Sequence, residues 1–194
     1  KIFWERYITD VNNAEANLEY FHFLIERDDT IGLVNKIDSL LVIYPEHTQL
    51  KLFKASYYSM IGDLERSLDL FFEMFDRQQE SLQSLFGIAD TYERLGERSK
   101  AIDYLREALV LNPDNPILLN YLGYLLADSN IDILYAETLI KSALEHDPEN
   151  GAYLDSYAWV LYRLGDNKKA LKYIEKALSY VRDDPTIHDH KGDI

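Results

Sequence analysis

Apolar residues recur along most of the chain at intervals of three and four, the spacing of one face of an α-helix. No segment alternates apolar and polar residues with the period of two that a strand requires. Between residues 82 and 115 two apolar stripes follow each other: Leu85, Ile88, Ala89, Tyr92 and Leu95, then Ala101, Ile102, Leu105 and Leu109. The pattern therefore predicts an all-α chain built from pairs of helices.

The pairs repeat with a period of about 34 residues. Prolines end three of the units, and small residues recur at fixed positions inside them. One column in the first half of each unit holds Phe21, Ala55, Ala89, Gly123 and Ala158, and one in the second half holds Leu33, Ser67, Ala101, Ala136 and Ala170. A small side chain lets two helices approach closely, so these columns predict the contacts within each pair. The repeats are predicted as 14–47, 48–81, 82–115, 116–150 and 151–184.

Glycine, asparagine and aspartate mark the predicted helix ends. Gly62, Gly96 and Gly165 lie between the two stripes of their units, where a left-handed residue ends a helix at little cost. Asn115 and Asp184 each precede a proline, an arrangement typical of a capping residue followed by the first helical position. The 116–150 unit has one extra residue, predicted to lie in the turn between its helices.

The two ends of the chain look like parts of further units. Residues 185–194 resemble the start of a sixth repeat, and residues 1–13 resemble the end of a preceding second helix. A helix pair cannot bury its apolar face alone, so units must stack to form a core. We expect a single array over residues 1–194 that is a piece of a longer one.

The columns resemble the tetratricopeptide repeat family, whose pattern is W-x2-L-G-x2-Y, then A-x3-F, then P. The unit 82–115 carries Leu85-x2-Ile88-Ala89-x2-Tyr92, then Ala101-x3-Leu105, then Pro113. The resemblance covers residues 14–184 and is strongest in the last three repeats. It implies a right-handed α-α superhelix of about five helix-turn-helix repeats with partial helices at the ends. In the first repeat Phe21 and Leu33 replace small residues, so we expect looser or shifted packing there.

Residues 120–193 are also similar to the carboxyl-terminal repeats of bacterial outer-membrane tetratricopeptide lipoproteins. One of these proteins is the adaptor of a carboxyl-terminal processing protease. The similarity includes Asp155, Ser156, Trp159, Tyr162 and Arg163. It implies an envelope adaptor, in the periplasm or anchored to the outer membrane, with the cytoplasm as the alternative compartment.

Charge and composition exclude several classes of function. The 194 residues carry a formal net charge of −14, which repels phosphate backbones and disfavours nucleic-acid binding. There is no cysteine, so disulfides, thiolate metal sites and thiol nucleophiles are excluded. No apolar run approaches the roughly 20 residues that span a bilayer.

Candidate catalytic and metal-binding groups are few. His188 and His190 point about 200° apart on a regular helix, so they cannot ligate one ion, and we expect both on a solvated terminal helix. Paired carboxylates at turns are explained by capping. No phosphate-binding glycine pattern occurs. We therefore expect a protein that is not an enzyme, with no cofactor and no metal.

The family resemblance implies a ligand groove along one stripe of each first helix. In the last three repeats that stripe includes Phe86, Asp90, Glu93, Asn120, Tyr124, Asp128, Asp155, Trp159, Tyr162 and Arg163. Aromatic and acidic residues together predict a protein partner segment that is apolar and basic. Two questions stay open. Tyr124 and Trp159 either contact the partner or pack between neighbouring first helices, and Arg163 pairs either with Asp155 or with a partner carboxylate.

Two functions from different classes fit this sequence. The first is a non-catalytic scaffold that binds a partner in its concave groove. The second is a structural array that associates with copies of itself.

Overall fold

The computed structural model describes residues 14–76 and 81–194. Eleven α-helices and no strand occur within these ranges. They are α1 (Ala14–Glu26), α2 (Thr30–Ile43), α3 (Thr48–Met60), α4 (Leu64–Asp76), α5 (Ser81–Arg94), α6 (Arg98–Leu111), α7 (Pro116–Asp128), α8 (Ile133–His146), α9 (Gly151–Arg163), α10 (Asn167–Tyr180) and α11 (Pro185–Asp193). The predicted all-α class is confirmed.

The chain groups into two compact units, Lys1–Glu80 and Ser81–Ile194. The single array expected from the sequence stays a prediction. The helix expected within residues 1–13 lies outside the described residues.

The first unit contains α1 to α4 around an apolar core. Its buried side chains include Phe21, Leu24, Leu33, Ile37, Leu40, Leu50 and Tyr57. The ring of Phe21 stacks on Phe53 with centroids 4.9 Å apart. Phe21 and Leu33, which replace small residues, are therefore both accommodated in the core. The looser or shifted packing expected for this repeat stays a prediction.

The second unit contains α5 to α11. Each of the pairs α5–α6, α7–α8 and α9–α10 packs together along its length. The first helix α7 also packs against α9, and α9 packs against α11. The first helices α7, α9 and α11 therefore lie side by side, and residues on their shared stripe come close to one another.

The turns within the pairs follow the expected chemistry. Gly62, Gly96 and Gly165 have φ values of 82°, 77° and 83°, in the left-handed region. At Gly96 the chain reverses with a hydrogen bond from the Glu97 N–H to the Tyr92 carbonyl, 2.9 Å long. The turn between α7 and α8 contains the predicted extra residue, and Asn130 takes the left-handed position there with φ 57°.

Gly123 shows why one column of small residues is required. A Cβ atom at this position would lie 2.6 Å from Cγ1 of Ile140 and 3.1 Å from the carbonyl oxygen of Ala136. Both neighbours belong to α8, and both residues are fully buried. Contact between α7 and α8 therefore depends on the absence of a side chain at residue 123.

We predict that Gly123→Ala lowers the free energy of unfolding by about 1–2 kcal/mol, because the overpacking cost exceeds the gain in helix propensity. Gly192→Ala is the matched control, since a Cβ there meets nothing within 4 Å. It should be neutral or stabilising. Urea unfolding followed by circular dichroism measures both, and equal midpoints for the two variants would contradict this account of the α7–α8 contact.

Candidate functional site

A cavity of about 520 Å³ opens among the first helices of the second unit. It is lined by residues of α5, α7, α9 and α11 and by the residue that caps α11: Glu93, Ile117, Asn120, Tyr121, Tyr124, Ala152, Tyr153, Asp155, Ser156, Asp184, Thr186 and Ile187. Three tyrosines and three carboxylates thus line one opening.

Four of the residues predicted for the groove line this cavity: Glu93, Asn120, Tyr124 and Asp155. The other six lie elsewhere on the first helices. Phe86 is 36% exposed and its ring lies 5.6 Å from that of Tyr121. Asp90 accepts a hydrogen bond from Arg94 at 3.1 Å. Asp128 forms an ion pair with Arg98 at 2.7 Å.

Tyr121 joins two first helices at the edge of the cavity. Its hydroxyl, on α7, donates a hydrogen bond to the Glu93 carboxylate on α5. Burial, the Glu93 hydrogen bond and neighbouring charges raise the pKa of Tyr121 well above its usual range. Burial and the carboxylates of Asp128, Glu93 and Asp155 raise the pKa of Tyr124 to about 12. Both phenols, which are neutral at physiological pH even at their ordinary pKa, thus ionise still less readily.

His190 holds α11 against α9. Its Nδ1 lies 2.9 Å and 3.0 Å from the two oxygens of the Asp155 carboxylate. His190 is 7% exposed and Asp155 6% exposed. The expectation that both terminal histidines lie in solvent is thus wrong for His190, because Asp155 supplies a buried charge partner. His188 is exposed, and its Nε2 lies 2.8 Å from the Arg182 carbonyl oxygen.

Burial alone would lower the pKa of His190. The hydrogen bond to Asp155 and the charges of Asp155, Asp128 and Asp193 outweigh it, so the pKa is raised above the ordinary value. The centroid of the His190 imidazole lies 5.9 Å from the ring centroid of Tyr124 on α7 and 4.4 Å from that of Trp159 on α9.

Trp159 lies beneath α11. It is 7% exposed, its ring stacks on His190 at an angle of 22°, and its Nε1 has no hydrogen-bond partner among the described residues. The ring centroid of Tyr162 lies 5.3 Å from that of the same indole, and the guanidinium carbon of Arg163 lies 6.0 Å from the indole centroid. Trp159 was expected either to contact a partner or to pack between first helices, and its burial favours packing between first helices. The Asp155 carboxylate pairs with His190, and Arg163 lies over the indole.

The sequence analysis did not assign Tyr121, Ser156 or His190 to the groove; these residues occupy the same column, one position after Asn120, Asp155 and Asp189. The side chains of Tyr121 and His190 both reach back to a carboxylate on the preceding first helix. A polar residue in this column, with an acidic residue on the groove stripe one repeat earlier, is the signal that could have identified them.

Across residues 14–76 and 81–194, no group of three His, Cys, Asp or Glu side chains is arranged to hold a metal ion. The helices in these ranges are also too short or too polar to cross a membrane.

The family model described as tetratricopeptide repeat matches residues 73–190. The chain belongs to the tetratricopeptide repeat family. A tetratricopeptide repeat-containing protein of Pseudomonas aeruginosa is 30% identical over 169 residues, which make up 87% of this chain and 29% of that protein. Human interferon-induced protein with tetratricopeptide repeats 2 is 30% identical over 138 residues, which make up 66% of this chain and 28% of that protein. The chain thus spans less than a third of either relative.

Solved structures show the same fold at lower identity. A tetratricopeptide repeat protein of Parabacteroides merdae has a TM-score of 0.73 at 17% identity, over 92% of this chain and 71% of that one. A thermophilic tetratricopeptide repeat protein of Thermus thermophilus has a TM-score of 0.71 at 18% identity, over 92% and 97%. YrrB, described as having an unusual peptide-binding site, has a TM-score of 0.65 at 16% identity, over 91% of both chains. The fold of this tetratricopeptide repeat chain is confirmed.

We predict that Trp159→Ala lowers the free energy of unfolding by about 3–5 kcal/mol, the usual cost of deleting a buried aromatic side chain. The contacts with His190 and Tyr162 would be lost together. Urea unfolding followed by circular dichroism tests this, with Phe86→Ala as a more exposed aromatic control. An unchanged midpoint for Trp159→Ala would show that the indole is a surface group.

We predict that the stabilisation supplied by His190 is greatest in mild acid. A raised pKa in the folded state means that protonation favours the fold. This contribution is full below the unfolded value near 6.5 and is lost as pH rises through the folded value. The difference in unfolding free energy between the wild type and His190→Gln should thus be larger at about pH 6 than at about pH 9. A difference that is the same at both pH values, or larger at the higher one, would contradict the charged pair with Asp155.

Proposed function

We propose that this chain is a non-catalytic protein-interaction scaffold that binds a segment of a partner protein along its first helices. The cavity of about 520 Å³ in the second unit, walled by tyrosines and carboxylates, is the observation that carries the proposal. The segment is apolar and basic in character. It lies along the groove stripe, with the cavity as its main anchor point.

The chemistry of the lining supports this kind of partner. Tyrosine offers a large apolar surface together with a hydroxyl group, and aromatic residues commonly dominate interface energies. The carboxylates of Glu93 and Asp184 place negative charge beside these rings. Such a site attracts a basic segment over distance and binds its apolar side chains on contact.

The remaining groove residues have distinct parts in the proposal. Phe86 extends the apolar surface beyond the cavity, because its half-exposed ring adjoins Tyr121. Asp90 and Asp128 add negative potential at the rim, although both have arginine partners. Trp159, Tyr162 and Arg163 act indirectly, by supporting the position of α11 through the stack on His190.

Family membership supports binding of protein or peptide, the general activity of tetratricopeptide repeats. YrrB, which has this fold, is described as having a peptide-binding site. A sharper form of the proposal is an adaptor in the bacterial envelope. Its support is the resemblance of residues 120–193 to outer-membrane tetratricopeptide lipoproteins, together with a bacterial relative of the chain.

Self-association is the second candidate function. Its support is the exposure of apolar side chains on the second helices, where Val110 is 78% and Leu134 is 68% exposed. Sedimentation over a range of concentrations separates the two candidates. A monomer that binds a peptide supports the scaffold, and an oligomer disrupted by Val110→Glu supports the array.

We predict that Tyr124→Ala weakens peptide binding by about 2 kcal/mol or more, which is about thirtyfold in the dissociation constant. The probe is a peptide selected on the full chain from a library of short random sequences displayed on phage. Calorimetry with the synthetic peptide gives the affinity, and circular dichroism checks that the variant is folded.

Tyr135→Ala on α8 is the matched control, because Tyr135 is an exposed tyrosine of the same unit that does not line the cavity. It should bind the peptide as the wild type does. If the library yields no binding sequence, or if folded Tyr124→Ala binds the selected peptide with wild-type affinity, the proposed function is overturned.

A further inference from the structure

The cavity of the second unit has an unusual set of polar groups. Its lining contains three carboxylates, those of Glu93, Asp155 and Asp184, and none of its lining residues is lysine, arginine or histidine. The phenols of Tyr121 and Tyr124 are neutral at physiological pH, and burial and nearby carboxylates raise their pKa further above the ordinary value. The lining is therefore negative in net charge with aromatic walls.

The three carboxylates differ in how far their charge is already balanced. Both oxygens of Asp155 lie within 3.0 Å of Nδ1 of His190, whose pKa is raised by this carboxylate, so Asp155 already has a partner inside the protein. Glu93 accepts a hydrogen bond from the neutral hydroxyl of Tyr121. Asp184 accepts hydrogen bonds from the backbone N–H groups of Thr186 and Ile187, at 2.8 Å and 3.2 Å. Neither Glu93 nor Asp184 has a cationic partner among the described residues.

Capping does not require the charge at Asp184. The corresponding residues before α7 and α9 are Asn115 and Asn150, and each accepts the same pair of backbone hydrogen bonds. Their bonds are 3.0 and 3.2 Å, and 3.1 and 3.2 Å, close to those of Asp184. At residue 184 a carboxylate thus performs the capping role that an amide performs at residues 115 and 150. Of these three capping residues, Asp184 is the one that lines the cavity.

We propose that the cavity is a site for an organic cation, the alkylammonium of a lysine or the guanidinium of an arginine in the bound segment. Glu93 and Asp184 are its charge partners. The faces of Tyr121, Tyr124 and Tyr153 supply cation–π contacts, and Ile117 and Ile187 pack against the methylene stem. This inference rests on the proposed function, and it assigns the basic character of the partner to one position of the segment.

The test uses two forms of the peptide selected on the full chain. One form is the selected sequence. The other form is a set of variants in which norleucine replaces a single lysine or arginine, which keeps an apolar stem and removes the charge. The protein variant combines Glu93→Gln with Asp184→Asn. Glutamine can still accept the Tyr121 hydrogen bond, and asparagine can still cap α11 as it caps α7 and α9.

The matched control removes the same two kinds of charge outside the cavity. It combines Glu175→Gln with Asp166→Asn, both on or beside α10, where Asp166 is also a capping residue. Circular dichroism and urea unfolding verify that both double variants keep the wild-type fold. Calorimetry then gives the affinities of each protein for each peptide.

We expect one norleucine substitution to weaken binding to the wild type by about tenfold or more, because a charge-assisted hydrogen bond is lost. The Glu93→Gln/Asp184→Asn variant should lose about the same factor for the selected peptide and almost nothing for that norleucine peptide. The control variant should bind both as the wild type does.

Three results would overturn the cation site, and with it the basic character of the segment, while leaving peptide binding by the groove standing. They are a selected sequence without a basic residue, equal affinity of the wild type for every peptide form, and an equal loss in the cavity and control variants. Failure of the library to yield any binding peptide overturns the proposed function, and this inference with it.

Discussion

Close approach of helices at small residues is the constraint on which the second unit depends. A single helix pair has too little surface to bury its own apolar stripes, so the stripes must meet both within a pair and between neighbouring pairs. At Gly123 there is no space even for a Cβ atom, since Ile140 and Ala136 of α8 already lie against the backbone. Close packing at this point fixes the separation of α7 from α8. It thereby helps to set how the first helices α7 and α9 lie beside each other, and their adjacent stripes form the wall of the cavity.

The final helix completes that wall. The contacts of α11 are mainly with α9 and α10, and they combine an apolar anchor, Ile187, with the buried pair of His190 and Asp155. A buried charge pair gains little stability over apolar packing, but it tolerates few alternative arrangements. The stack of His190 on Trp159 restricts the helix further. This cluster therefore fixes the position of α11 as well as stabilising the fold. As a result, residues of α11 line the cavity.

The acidic residues of the site differ in whether they already have a charged partner inside the protein. Asp155 has a structural partner inside the protein, and Asp90 and Asp128 have arginine partners at the rim. Within the part of the chain that the structure describes, Glu93 and Asp184 accept hydrogen bonds from neutral groups and have no cationic partner. A tetratricopeptide repeat chain with a net charge of −14 has many carboxylates, so the useful distinction lies in which of them are already neutralised. The proposed specificity for a basic segment follows from that distinction.

The sequence by itself determined the helices, their pairing and the turns, because those features depend on local periodicity and on residues such as Gly96, Asn115 and Asp184 that act within a few positions. It also placed Glu93, Asn120, Tyr124 and Asp155 on one stripe, and all four line the cavity. It could not determine that Trp159 is covered or that His190 is buried, since both depend on the docking of α11 against a helix one repeat earlier. Helical spacing fixes the direction of a side chain on its own helix. What lies in that direction, solvent or a neighbouring helix, was decided only by the tertiary structure.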